Sequence, residues 1–256
     1  MNPLLTSWTA FRNWRTPLPE RSRYIGIIQE MNCRGKLQKA RNHAMNTPKH
    51  VLVLGDDASA PYHPLSNIKD ELAAILGDRY AIDMTDKYCA LDPEIIHAYD
   101  LMISYTDCWT APVTKKQAAS LIQFVQCGGS LLIIHNGISL QSREECARLI
   151  GGKFTGHPDY QRLDFRKTDI EHPVTYGIEP FSLDEEPYQF EFYPEANVEV
   201  LLEYKLDDRR IPAAWTAARG QGRIVYLMPG HHKPSFLHPS CRTLIQNSAQ
   251  WLTSTS

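Results

Sequence analysis

From residue 51 onward the chain alternates short apolar runs with longer segments whose apolar residues recur at helical spacing. Residues 51–54 (Val-Leu-Val-Leu) are unbroken and end at Gly55-Asp56-Asp57, which predicts a buried strand followed by a turn. Ser66 or Asn67 is placed to cap a helix running to about Leu76. Residues 80–84 and 100–105 predict two more strands. Between 114 and 126, Ala118, Leu121, Ile122 and Val125 form an apolar stripe, and Gly128-Gly129 closes that helix before a strand at 131–134. His135-Asn136-Gly137 follows, and residues 141–150 again read as helical.

Strands alternating with helices at this spacing predict βαβ units, hence an α/β fold with a mostly parallel sheet and helices on both faces. The doubly wound, flavodoxin-like type is expected, because four strands within 135 residues give way after Ile150 to irregular, proline-containing sequence. In that second part, strands are expected at Gln161–Lys167, 198–204 and 222–227, with a closing helix at 238–251. In such folds ligands bind outside the carboxyl ends of the strands, so the ends at Leu54, Tyr105 and His135 should open on one edge.

A chain of 256 residues with 43% hydrophobic content can bury one full-sized core. The net charge of −2 gives no general attraction to nucleic acid. Residues 1–44 differ, with eight Lys or Arg against two Glu and no run apolar enough for a membrane span or signal segment. They are expected to be a disordered or loosely attached basic extension, with the domain proper at 45–256. Met45 is an alternative start. Cysteines at 33, 89, 108, 127, 146 and 241 show no CxxC spacing, which fits reduced thiols in a cytoplasmic protein. No nucleic-acid or membrane partner is expected, and homo-oligomerisation is left open.

Polar residues at strand exits are the candidates for chemistry. His135 ends a continuous apolar strand, His63 lies in the loop after the first strand, and His231 follows the strand at 222–227 through Met228-Pro229-Gly230. Neither GxGxxG nor GxxxxGK[ST] is present, so no nucleotide cofactor is expected. Glu185-Glu186 before Tyr188 offers a carboxylate base beside a hydroxyl donor, and alternation along a strand turns only one of the two acids, Glu186 by preference, to a pocket. His157 and His172 each precede a proline that fixes their backbone. Imidazoles and carboxylates in this number leave zinc or a similar divalent metal open, although no HxxxH or HExxH spacing supports it.

These clusters, taken in order, resemble a known family. Gly128-Gly129-Ser130 leads through 131–134 into His135-Asn136-Gly137, followed by Leu149-Ile150-Gly151-Gly152-Lys153-Phe154 and His157-Pro158. His172-Pro173-Val174-Thr175-Tyr176-Gly177-Ile178, residues 181–188, Gly220-Gln221-Gly222-Arg223-Ile224-Val225-Tyr226 and Pro229-Gly230-His231 complete the pattern. Residues 50–252 resemble the ThuA-like (trehalose utilisation) proteins of the class I glutamine amidotransferase-like superfamily. The resemblance implies sugar catabolism, with family positions falling on His135, His63, Gly230-His231 and the acidic pair Glu185-Glu186. Many relatives carry Asp-Glu at that pair, so Glu185 is a mild departure. The superfamily's amidotransferases use a cysteine on an elbow after a central strand; residues 134–138 hold none, which argues against glutamine hydrolysis.

The expected function is therefore acid-base chemistry on a disaccharide or keto-sugar derivative: isomerisation, elimination or hydrolysis without a cysteine nucleophile. His135, Glu186, His231 and His63 are its catalytic candidates, and Tyr188, Glu185, Trp109, His157 and Trp215 its substrate contacts. A noncatalytic sugar-binding or interaction protein on the same fold is the alternative. Convergence of the catalytic candidates in one pocket separates the two.

Overall fold

A computed structural model describes residues 48–254. The expected basic extension at 1–44, and Met45 as its boundary, lie outside the described residues. Eleven strands and six α-helices follow: β1 (Lys49–Gly55), α1 (Lys69–Leu76), β2 (Tyr80–Thr85), α2 (Pro93–Ile96), β3 (Leu101–Tyr105), α3 (Lys115–Gln126), β4 (Ser130–Ile134), α4 (Glu144–Ile150), β5 (Gly152–Gly156), β6 (Gln161–Lys167), β7 (Phe181–Glu185), β8 (Gln189–Phe192), β9 (Glu199–Leu206), β10 (Arg209–Arg219), β11 (Gly222–Leu227), α5 (Lys233–Leu237) and α6 (Pro239–Thr253).

The main sheet has nine strands in the order β2-β1-β3-β4-β11-β10-β9-β6-β7, and β5 with β8 makes a separate ribbon. From β2 to β11 every pairing is parallel. Beyond β11 every pairing is antiparallel, so the sheet is mixed rather than mostly parallel. The connections account for the change. β9 to β10 and β10 to β11 turn within two residues, at Asp207-Asp208 and Gly220-Gln221, and so short a link can join only antiparallel neighbours. Pro212 sits beside a register shift in β10, where the missing N–H is tolerated.

In the parallel half, β1, β3 and β4 are buried at nearly every position because helices cover them. α3 and α6 both pack against β4 and β11, α1 packs on α6, and α4 packs on α3. The α3 start follows from sequence, since Thr114 and Gln117 form a reciprocal capping box. α1 starts differently from expectation: neither Ser66 nor Asn67 caps it, a 3-10 turn at Leu65–Asn67 precedes it, and the Ser66 N–H donates to Asp57 Oδ1 at 2.7 Å.

Register fixes the working edge. Gly55 is level with Tyr105, Ser104 with Ile133, and Ile134 with Leu227, so four parallel strands end together. The segment after β4 is a 3-10 helix, His135–Ser142, rather than a direct continuation into α4. Gly137 is required there, because a Cβ would strike the backbone carbonyl of Ser104.

Candidate functional site

Each parallel strand places one polar group at this edge. After β1, Asp56 anchors the loop carrying His63: its carboxylate accepts from Tyr88 Oη at 2.6 Å, the Asp107 N–H at 2.7 Å and Ser59 Oγ at 3.2 Å. After β4, His135 takes a left-handed backbone with φ of 47°, a costly conformation for a residue with a side chain. After β11, Tyr105 Oη donates to the carbonyls of Gly230 and His231 and holds the last loop. Gly230 has φ of 149°, and a Cβ there would lie 2.5 Å from Ile134.

The antiparallel half adds the acidic pair, and the two acids part company. Glu185 is fully buried and accepts from the Gly230 N–H at 2.8 Å, the His231 N–H at 3.2 Å and Ser235 Oγ at 2.5 Å. Burial pushes its carboxyl up to about 7 although these donors favour the anion. It shapes the His231 loop and is out of a substrate's reach, which corrects its assignment as a substrate contact. Glu186, the first residue beyond β7, faces the cleft, so the expected choice between the two acids holds although only Glu185 is in the strand.

His63, His135, Glu186 and His231 converge, with one potential ligand atom from each lying within 4.8 Å of the others. Glu186 Oε2 is 3.2 Å from His135 Nε2, 3.3 Å from His231 Nδ1 and 3.8 Å from His63 Nε2. His63 Nε2 is 3.0 Å from His231 Nδ1. Four ligands about 2.0–2.1 Å from a zinc ion in a tetrahedron lie roughly 3.3 Å apart, which is near the four spacings of 3.0–3.8 Å here and shorter than the 4.8 Å that bounds the whole set.

Proton accounting points the same way. His135 Nδ1 is 2.7 Å from the Met228 carbonyl, which cannot donate, so Nδ1 carries the hydrogen. Burial and the neighbouring His63 and His231 lower His135 to about 4, leaving a neutral ring with its Nε2 lone pair toward Glu186. Burial alone would raise Glu186, but hydrogen bonding within the histidine cluster lowers its carboxyl below the usual range, and with His135 Nε2 unprotonated the donor left is His231 Nδ1, 3.3 Å from Oε2. Lone pair and carboxylate thus meet at 3.2 Å as two acceptors, a contact that a shared cation relieves.

A cleft of about 480 Å³ is lined by His63 and Glu186 of this cluster, whereas His135, fully buried, and His231 are not among its lining residues. One wall is aromatic: Trp109 lies 5.6 Å from Phe154, Phe154 4.2 Å from Tyr188, and Tyr188 stacks on both His135 and His157. Trp109 Nε1 donates to Asn136 Oδ1 at 2.7 Å, so the indole offers the cleft its face. Phe154 is held because Gln141 pairs with its backbone through both amide atoms. Burial pushes the Tyr188 phenol far up, so it stays protonated.

Trp215 is not at the cleft. It is fully buried, bonds the Ile150 carbonyl at 3.1 Å and packs on Tyr226, because its β10 position faces the core between the sheet and the β5–β8 ribbon. His172 caps the short Pro173–Thr175 helix. Cys108 is buried against Ser139. A larger groove of about 600 Å³ near Tyr176 and Trp251 contains only one histidine, His172, and one carboxylate, the exposed Glu171, so it lacks the histidine-carboxylate cluster of the smaller cleft. Asp107, Phe154 and Tyr62 line that cleft without having been singled out in sequence. Asp107 shares the signal that marked His135, a polar side chain just beyond a buried strand. No helix among the described residues is long and apolar enough to cross a membrane.

Comparison with known proteins agrees with the fold. A ThuA-like protein from Bacteroides uniformis superposes with a TM-score of 0.66 at 22% identity, covering 81% of this chain and 93% of that one. One from Parabacteroides merdae gives 0.65 at 16% identity, covering 81% and 91%. A cytoplasmic protein from Salmonella typhimurium gives 0.59 at 12%, covering 80% and 100%. At these identities the likeness is one of fold. No curated protein matches the sequence. The family described as trehalose utilisation matches residues 50–252, nearly the whole span described, and the chain therefore belongs to the ThuA family.

Proposed function

We propose that this protein is an enzyme of carbohydrate catabolism that acts on a disaccharide or keto-sugar derivative at the centre formed by His63, His135, Glu186 and His231. The observation that carries the reading is their convergence from four separate loops, beneath one cleft, at the carboxyl edge of the parallel strands. A protein that only binds sugar needs the aromatic wall but has no use for three imidazoles gathered on a carboxylate.

His63, His135 and His231 would hold a divalent cation such as zinc, with Glu186 beside it. When bound, such an ion polarises a sugar carbonyl or hydroxyl oxygen and makes coordinated water more acidic. Trp109 and Phe154 offer flat faces to the C–H side of a sugar ring. Glu186, held as the anion, orients a substrate hydroxyl by accepting its hydrogen bond, and Tyr188, which keeps its phenol proton, donates to the oxygen that gains charge.

We also read the parallel half, ordered β2-β1-β3-β4-β11, as a doubly wound, flavodoxin-like arrangement of the class I glutamine amidotransferase-like type. Residues 134–138, where the chain leaves β4, hold no cysteine, which supports a function other than glutamine hydrolysis. A cytoplasmic location follows from the same reading and from the name of the Salmonella relative.

The test is incubation of purified protein with disaccharides, their keto-glycosides and glutamine, with and without zinc or manganese, with products followed by mass spectrometry and NMR. Turnover of a sugar or keto-sugar is expected. Saturable sugar binding with no product would move the assignment to a binding protein, and ammonia release from glutamine would overturn the negative half.

A further inference from the structure

His63 presents an imbalance that the other imidazoles do not share. The second ring nitrogen of His135 is tied to the Met228 carbonyl at 2.7 Å. His63 is 7% exposed at its side chain, yet its Nδ1 is buried without a hydrogen-bond partner. The nearest carboxylate is Asp107, whose Oδ2 lies 3.7 Å from that nitrogen. Closing the gap by roughly 0.8 Å would make an ordinary N–H···O bond. Asp107 is placed for it: its backbone N–H is fixed at 2.7 Å by Asp56, which also ties down the loop bearing His63.

We propose that Asp107 is a positioning residue for His63, holding it as the Nδ1–H tautomer so that the Nε2 lone pair faces the cluster. The inference deepens the cation reading proposed above and rests on it. The opposite tautomer would set an unprotonated Nδ1 against a carboxylate, two acceptors in a nearly dry site. With Nδ1 protonated, His63 Nε2 accepts from His231 Nδ1 at 3.0 Å in the cation-free protein and is free to ligate when a cation enters. A carboxylate on the far nitrogen of a ligating histidine fixes ring and tautomer and raises ligand basicity, and its loss typically costs about 10–100-fold in metal affinity.

Two measurements on the full chain decide it. Long-range ¹H–¹⁵N NMR on cation-free protein reads the His63 tautomer, and competition with a chromogenic chelator reads zinc affinity. Expected are an Nδ1–H tautomer in the wild type, a shift in tautomer ratio with roughly 10–100-fold weaker zinc binding in Asp107→Asn, and recovery in Asp107→Glu, whose longer side chain spans the gap. A merely structural role would instead lower the cation-free melting temperature without moving the tautomer. An Nε2–H tautomer in the wild type overturns the proposal whatever the variants do, as do unchanged tautomer and affinity in a folded Asp107→Asn. Wild-type protein that binds no zinc but shows the tautomer shift keeps the Asp107–His63 pairing and removes the cation reading.

Discussion

In the parallel half of the sheet, His63, Asp107, His135 and His231 sit on loops leaving strands that end level with one another, so their meeting is a consequence of topology. In the antiparallel half, Glu186 and Tyr188 come from the link between β7 and β8, strands of different sheets, and Phe154 from the short β5. The parallel half supplies three imidazoles, Asp107 and Trp109 on strand exits, while the β7–β8 link and the β5–β8 ribbon supply Glu186 and the rest of the aromatic wall. Glu185 joins the two, since its buried carboxylate at the end of β7 grips the loop that carries His231.

The largest expected effect tests whether the antiparallel half also has a purely structural tryptophan. Trp215→Ala should lose about 3–5 kcal/mol, read by denaturant unfolding, because a fully buried aromatic leaves a cavity and an unpaired Ile150 carbonyl. A small loss would return Trp215 to the substrate candidates. Glu186→Gln should cut turnover by roughly 10²-fold or more in a protein that still folds, with a lower melting temperature at neutral pH because the depressed carboxyl stabilises the fold there. Near-normal turnover would remove the antiparallel half from the chemistry. Trp109→Ala should raise KM for sugar by roughly five- to tenfold, with kcat less affected, because one stacking face is lost; a pure kcat effect would contradict that role.

The smallest effect separates the adjacent acids by pH. Glu185 is raised to about 7 in the fold, against about 4.3 for a free glutamate, so the folded state binds its proton more tightly. Its stabilisation is present below about pH 4.3 and is lost as pH rises through 7. Glu186 is depressed, so its stabilisation is present above about pH 4.3 and is lost as pH falls below it. The melting temperature of Glu185→Gln relative to wild type should therefore climb between pH 5 and 8. A flat difference across that window would show that Glu185 is not the group titrating there.

What the sequence determined by itself was whatever depends on local pattern. Unbroken apolar runs at 51–54 and 131–134 mark covered parallel strands, and polar residues at or on the loops beyond strand ends mark the working edge, which made His135, His63 and His231 legible. The expected alternation separated Glu186 from Glu185, although β7 ends at Glu185 and Glu186 begins the link to β8. Tertiary structure alone decided the rest. Of the four antiparallel strands beyond β11, β6 and β9 were legible as strands, but their partners were not, and β7 and β10, with the core position of Trp215, were missed. A buried carboxylate that serves backbone N–H groups looks the same in sequence as one that faces a cleft. Local periodicity reports which way a side chain points from its own element, while ligand geometry is set by distances between elements far apart in the chain. That is why the approach of Asp107 to His63, and of three imidazoles to one carboxylate oxygen, appears only once the strand ends are level.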